Sequence, residues 1–579
     1  MRGRICKSIV GGVLALSGLW GGCTPLTGPG KHTPTTNAAK PASPSYITDT
    51  MAEYATLVGG SDLVVHGYGV VAGLGNNGSR EVPAYVREYL TQMLLKSQTL
   101  NTAGGSEAIS PQAILEDLDT AVVELWGVIP TGAPAGTRFD VFVSCPPETQ
   151  TRSLDGGVML VPAEMRLAVP GELAGRQSKV FAEADGVIFI NPFLDPTKRE
   201  DLPKLREGRI IGGGKSLEDR PLRLSLFQAD YQRADLIQRR INERFGPGRI
   251  AVAKDSSVIE ISIPSAYRDN YGQFLRLLMH LPIRLTSGSL EIKAREIAAA
   301  IESSGTNHDE LALVWEAIGR QVLPTVQGLY NASNPVSAFY AARTGMRLGD
   351  SAAVPVVVAA ATNPNSPLQV AAIEELGRQK LSAKITPVLR QLLNDENESV
   401  RLAAYEALLK QGDAAKIQRI ALPKQFDMDL VESSGKPILY VSQSAQRKIV
   451  LFGKDVLIRR PIFFTAPENL LTINAEEGDE KLTVFRKVPR TERSSEAFQI
   501  DPLLSDLVRL MGTLPTRGPM EEKVYGLGLT YSQVVGVLYR LCQSGDVPAE
   551  FRLQVLPNIR RIYAQGGAAP LGRPDVSGQ

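Results

Sequence analysis

Cysteine, histidine and tryptophan are scarce in this chain: four, four and three in 579 residues. The histidines (His32, His66, His280, His308) stand in no ligand-like spacing and no cysteine pair accompanies them, so neither a zinc site nor a histidine-based catalytic motif is expected. An excess of one charge is also missing. With 63 basic and 61 acidic residues the net charge is +2, too weak a field to gather nucleic acid. After residue 23 no segment has the roughly 20 continuous apolar residues of a membrane helix. These absences leave no sequence pattern of a zinc site, a histidine-based catalyst or a nucleic-acid binder. The expectation is no catalytic residue, no cofactor and no metal, in a protein that works through its surfaces.

What is present begins with an address. Arg2, Arg4 and Lys7 precede the apolar run SIVGGVLALSGLW, which ends in Gly21-Gly22-Cys23. A charged n-region, a short apolar core and a small-residue cleavage site make residues 1–23 an export signal. Cys23 resembles the acylated cysteine of bacterial lipoproteins, although Trp20 stands where such motifs carry Leu, Val or Ile. Two readings follow: lipidation at Cys23 with anchoring to the outer membrane, or ordinary cleavage that frees the chain into the periplasm. Beyond the signal, Cys145 and Cys542 are the remaining cysteines. In an oxidising compartment they are candidates for a disulfide, the alternative being two buried free thiols.

Composition divides the rest. Residues 24–46 are rich in Pro, Thr, Ser and Gly and read as a flexible linker. Residues 47–290 mix alternating runs such as AVVELWGVI (121–129) with an amphipathic stretch, YQRADLIQRRINERFG (231–246), and read as an α+β region. From 295 to 417 the strand signals stop. NPVSAFYAARTGM (334–346), NSPLQVAAIEELG (365–377) and NESVRLAAYEALL (397–409) recur at intervals of 31 and 32 residues, the signature of an α-solenoid. The last copy resembles a HEAT unit, with Asp395, Val400, Arg401, Ala404 and Leu408 in the expected places. Residues 418–500 hold short β-rich runs, 501–564 read as helical, and 565–579 as a disordered tail. The expected fold class is multidomain α+β: an α+β region, HEAT-like α-solenoid repeats, then a small β-rich domain with C-terminal helices.

The stretch HGYGVVAGLGNNG carries Gly67, Gly69, Gly73, Gly75 and Gly78. A dinucleotide cradle would place its third glycine at Ala72 and an acidic residue after a second strand about 20 positions on. VREYLTQMLLK (86–96) reads there as helix instead. GRIIGGGKS (208–216) fails as a phosphate loop because Arg209 occupies the position of the first glycine, and strand rather than helix is expected downstream. The glycines therefore read as places of close backbone approach, either inside the fold or in packing between subunits. The acids Glu116, Asp117 and Asp119, and those of AEEGDE (475–480), read as solvated charge, and the basic run RKVPRTER (486–493) as an exposed loop.

LVVHGYGVVAGLGNNG, then TAVVELWGVIPTGAPAGTRFDVFVSC with SLDGGVMLVP, then GRIIGGGKSLEDRPLRLSLFQADYQRADLIQRRINERFG with VIEISIP, resemble in order three blocks of the bacterial flagellar P-ring family. The resemblance ends near residue 290. It implies a non-enzymatic structural subunit of the periplasmic ring around the flagellar rod, a bushing that supports motility. Its implied partners are further copies of itself in a homo-oligomeric ring, the rod and the outer-membrane ring proteins, with peptidoglycan or the outer membrane as neighbours. The alternative expectation is an outer-membrane-tethered adaptor lipoprotein that reuses this region while the solenoid binds a protein partner.

Overall fold

The computed structural model describes residues 49–59, 62–101, 110–167, 179–194, 197–246, 248–283, 287–303, 307–487, 494–517 and 524–554. The export signal with Cys23, the linker, the tail and most of the basic run lie outside the described residues.

The first region runs α1 (Met51–Tyr54), β1 (Ala55–Val58), β2 (Leu63–Ala72), α2 (Ala84–Asn101), α3 (Pro111–Leu115), β3 (Ala121–Ile129), β4 (Arg138–Ser144), β5 (Val158–Met159), β6 (Ala163–Arg166) and β7 (Val180–Ala184). It continues through β8 (Glu207–Ser216), β9 (Leu222–Leu226), α4 (Tyr231–Phe245), β10 (Ala251–Ala253), β11 (Val258–Ile261) and α5 (Tyr271–His280). The period-2 alternation of the strands sends Val123, Leu125, Val141, Val143, Met165 and Ala182 into one shared core. Pairing runs β2 to β3, β4, β8, β7, β6 and back to β2, antiparallel throughout, so the sheet closes into a small barrel. Helix α2 lays Val86, Leu90 and Leu94, spaced one turn apart, over the outward-facing Tyr68, Val70 and Val122.

The remaining strands form a second antiparallel sheet in the order β1-β9-β11-β10. The expected amphipathic helix is α4: Asp230 caps it by accepting from the amides of Gln232 and Arg233, and Ala234, Ile237 and Ile241 face the sheet.

Helices α6 (Ser287–Glu302), α7 (His308–Ile318), α8 (Leu323–Gln327), α9 (Pro335–Arg347), α10 (Val354–Thr362), α11 (Gln369–Gly377), α12 (Thr386–Leu392) and α13 (Glu398–Gln411) form the solenoid. The three repeated motifs become α9, α11 and α13. Asn307, Asn334 and Asn397 cap α7, α9 and α13 with their side chains. Small residues let the helices close up: a Cβ on Gly377 would lie 2.6 Å from the Cα of Ala407. Arg347 joins three repeats by donating to Glu316 at 3.0 Å and to Glu375 at 2.6 and 2.9 Å. The solenoid begins earlier than expected, since α6 starts at residue 287.

The last region comprises β12 (Ile417–Leu422), β13 (Phe426–Val431), β14 (Ile438–Val441), β15 (Lys448–Phe452), β16 (Ile462–Thr465), β17 (Thr472–Ala475), β18 (Leu482–Phe485), β19 (Phe498–Ile500), α14 (Leu504–Gly512), β20 (Thr516–Arg517), β21 (Val524–Tyr525), α15 (Tyr531–Gln543) and β22 (Glu550–Leu553). The expected boundary at residue 500 is absent. β22 returns to pair parallel with β14, and α14 and α15 share a core with both sheets, so the helical stretch and the β-rich stretch form one domain. The five-stranded sheet β12-β13-β15-β14-β22 is apolar on both faces: Val450 and Phe452 join the solenoid core, while Ile449 and Leu451 join the other. Burial on both sides explains the unbroken apolar run IVLF.

At this junction Asp429 is fully buried, accepting from Tyr405 Oη at 2.5 Å and from Arg419 at 2.8 and 3.0 Å, with Lys448 Nζ 3.6 Å away. Burial alone would raise its carboxyl pKa. The Arg419 and Tyr405 hydrogen bonds and the Lys448 charge outweigh that, holding it below the usual value. A lowered folded-state pKa stabilises above the unfolded value of about 4 and is lost as pH falls through the folded one. Asp429→Asn should therefore lower unfolding free energy by about 3 kcal/mol at pH 7. In urea titrations that gap should close below about pH 4.

Candidate functional site

Strand β2 is built for close approach along its inner face. A Cβ on Gly67 would lie 2.5 Å from the carbonyl oxygen of Glu164 in β6, and one on Gly69 would lie 2.4 Å from Met159 Cε inside the barrel. A Cβ on Gly78 would meet the carbonyls of Thr120 and Leu118 at 2.1 and 2.4 Å. These three glycines thus lie against their own chain. Gly73 and Gly75 have φ of +88° and +64° and form the turn after β2. A Cβ on Gly75 would have nothing within 4 Å, so the need for glycine there is conformational rather than steric.

Asp119 corrects the expectation of solvated charge. Its carboxylate accepts from the amide of Gly75 at 2.7 Å and of Gly73 at 3.3 Å, fastening the turn. In AEEGDE the acids Glu476, Glu477, Asp479 and Glu480 are exposed as expected, with Asp479 accepting from the amide of Glu476 at 2.8 Å. GRIIGGGKS lies within β8, extended backbone in the barrel wall.

The barrel also carries a dock that the sequence does not announce. Asp140 accepts from the amide of Gly212 at 2.7 Å, from Ser444 Oγ at 2.6 Å and from the amide of Ala445 at 3.1 Å. Arg209 donates to the carbonyl of Gln443 at 3.1 Å while its guanidinium covers the ring of Phe142, which stacks on Trp126 at 3.9 Å. Gly212, at φ +60°, leaves room for the carbonyl of Ala445, which a Cβ would approach to 2.4 Å. Phe189 and Ile211 complete the contact by entering the core of the C-terminal domain. Ser444 is 304 residues from Asp140, so no local pattern could pair them.

The disulfide between Cys145 and Cys542 is not formed. Both are free thiols, Cys145 against the barrel core and Cys542 against the C-terminal core. Burial pushes their pKa values up to about 11 and about 12. Among the described residues no group of three or more His, Cys, Asp and Glu is placed to hold a metal.

A closed barrel with a companion α/β layer, continued by a helical solenoid and a two-sheet domain that docks back on the barrel, defines a multidomain scaffold. Residues 51–292 match the family model described as Flagellar P-ring protein, and residues 355–421 match HEAT repeats. Both resemblances read from the sequence are borne out. The first match covers the barrel and its companion sheet; the second covers α10 to α13. The chain is 27% identical over 228 residues to a flagellar P-ring protein of Geobacter metallireducens, covering 38% of this chain and 57% of that one. It is 26% identical over 262 residues to one from Anaeromyxobacter sp. strain K, covering 44% and 65%. To one from Nitrobacter winogradskyi it is 28% identical over 253 residues, covering 42% and 62%. The chain thus spans about three fifths of the length of the curated relatives it matches. Their name is that of a ring component, not of an enzyme.

Two measurements test this geometry. Gly67→Val should lower the unfolding free energy by about 2–3 kcal/mol through overpacking, and Gly75→Ala by about 1 kcal/mol through its left-handed backbone alone. Alkylation at pH 8 followed by intact mass measurement should leave Cys145 and Cys542 unmodified in the folded protein and modify both after denaturation.

Proposed function

We propose that the protein is a structural, non-enzymatic subunit of the periplasmic P ring of the flagellar basal body, surrounding the rod as a bushing. The observation that carries the reading is the coincidence of the P-ring match at 51–292 with one structural region, the barrel and its companion sheet. A closed ring of identical subunits uses a head-to-tail interface, in which two different patches of one chain meet. Gly73 and Gly75, whose turn faces outward at the end of β2, are the two glycines of the motif left for packing against a neighbour. The partners are then other copies of the chain, the rod and the outer-membrane ring proteins, with peptidoglycan beside them. Because the C-terminal domain is fastened to the barrel through Asp140 and Arg209, the solenoid and that domain travel with each subunit as added contact surface.

Cys23 after two glycines, together with the large part of the chain outside the P-ring match, supports one competing reading: a lipid-anchored adaptor in the periplasm whose solenoid holds another protein. Electron microscopy of purified basal bodies, with mass spectrometry of the amino-terminal peptide, separates the two. The ring reading expects the protein in stoichiometric amount in a ring around the rod. An acylated Cys23 on a monomer absent from basal bodies would sink it and leave the adaptor.

A further inference from the structure

Strand edges expose unpaired backbone amides and carbonyls, and soluble proteins manage them. Here the barrel closes on itself. The edge of β10 is covered by α4, whose Asn242 and Gln238 side chains bond the backbone of Ala251 and Ala253. The edges of the five-stranded sheet carry charge, with Arg419 in β12 and Glu550 and Arg552 in β22. The other edge of the companion sheet, β1, reads ATLV without charge, but among the described residues only the four-stranded sheet β16-β17-β18-β19 leaves both of its edges uncharged and uncovered by a helix of its own. Its edge strands read IFFT and FQI, with no charged residue or proline in either. At the outer edge Phe463 is 79% exposed, more than any other large hydrophobic residue among those described.

The register of this sheet places Phe463, Asn474, Thr483 and Gln499 in one row across its outer face. All its pairings are antiparallel and its strands are even in number, so β16 and β19 run in opposite directions. A neighbouring copy brought alongside by a ring operation therefore presents its β19 antiparallel to β16. The two edges differ in sequence, as a head and a tail must.

We propose that β16 of one copy pairs with β19 of the next, Phe463 opposite Gln499, continuing the sheet from subunit to subunit. The inference rests on the ring reading above and supplies it with a specific contact. Added main-chain hydrogen bonds satisfy both edges, and the cross-strand neighbour covers the Phe463 ring. A ladder of this length buries less than the roughly 1,000 Å² of a stable interface. It sets the register of a contact whose remaining area comes from surfaces beside it.

The test uses the full chain in its own envelope with Phe463→Cys and Gln499→Cys combined. Within one subunit these positions are three strand spacings apart, about 14 Å, beyond the roughly 7 Å reach of a disulfide. Oxidation should give a ladder of reducible multimers from the double variant and none from either single variant. Phe463→Asp should reduce assembled rings at least tenfold while leaving the melting temperature unchanged, because the side chain is exposed. Rings that form at wild-type level in Phe463→Asp and give no ladder in the double variant overturn the edge pairing and leave the ring reading standing. A dimer from Phe463→Cys alone overturns it in favour of a two-fold contact, and a cross-link to another protein overturns it in favour of that partner. Wild-type protein absent from basal bodies removes the ring reading itself.

Discussion

The fold depends on closure at β2. One strand must pair with β3 along its length and meet β6 and β5 on its other side. That requires Gly67, because a side chain there would overlap the backbone carbonyl of Glu164, whereas at Gly69 the nearest atom is the flexible end of Met159. Once β2 is seated, Val65 and Val71 point into the barrel and Tyr68 and Val70 out under α2, so two cores form from one strand. The turn that follows needs left-handed backbone at Gly73 and Gly75, and Asp119 ties it back to the chain entering β3.

A second constraint joins the domains. The central strands of the five-stranded sheet are buried on both faces, so the solenoid packs on one side of it and α14, α15 and the smaller sheet on the other. At that junction Asp429 is satisfied by Tyr405 and Arg419, and Arg401 of the repeat donates from Nη1 to the carbonyl of Lys436 at 2.7 Å. At the solenoid's other end, Arg244 of α4 donates to the carbonyls of Ala317 and Glu316 at 2.8 and 2.7 Å. With the Asp140 and Arg209 dock, domain contacts run from barrel to companion sheet, to solenoid, to C-terminal domain and back to the barrel.

This circuit holds the solenoid at both of its ends. A solenoid attached at one end flexes with its repeats, whereas one held at both ends carries load between its attachments. Cys145 and Cys542 are partly buried thiols whose pKa values burial raises.

Much of this was legible in the residues themselves. Alternation in AVVELWGVI, the i, i+3, i+7 stripe of α4 and the repeat of about 31 residues each specify which face of an element is apolar, and that is local information. The helical stretch where a second strand and its acidic residue should follow β2, and the misplaced Arg209, likewise argued against phosphate cradles without any structure. What tertiary structure alone decided is which faces meet. The return of β22 beside β14, the separation of the two thiols and the reach of Asp140 to Ser444 join residues far apart in the chain. Long-range partners are selected by packing complementarity and by the satisfaction of buried polar groups, and neither leaves a periodic mark on the sequence.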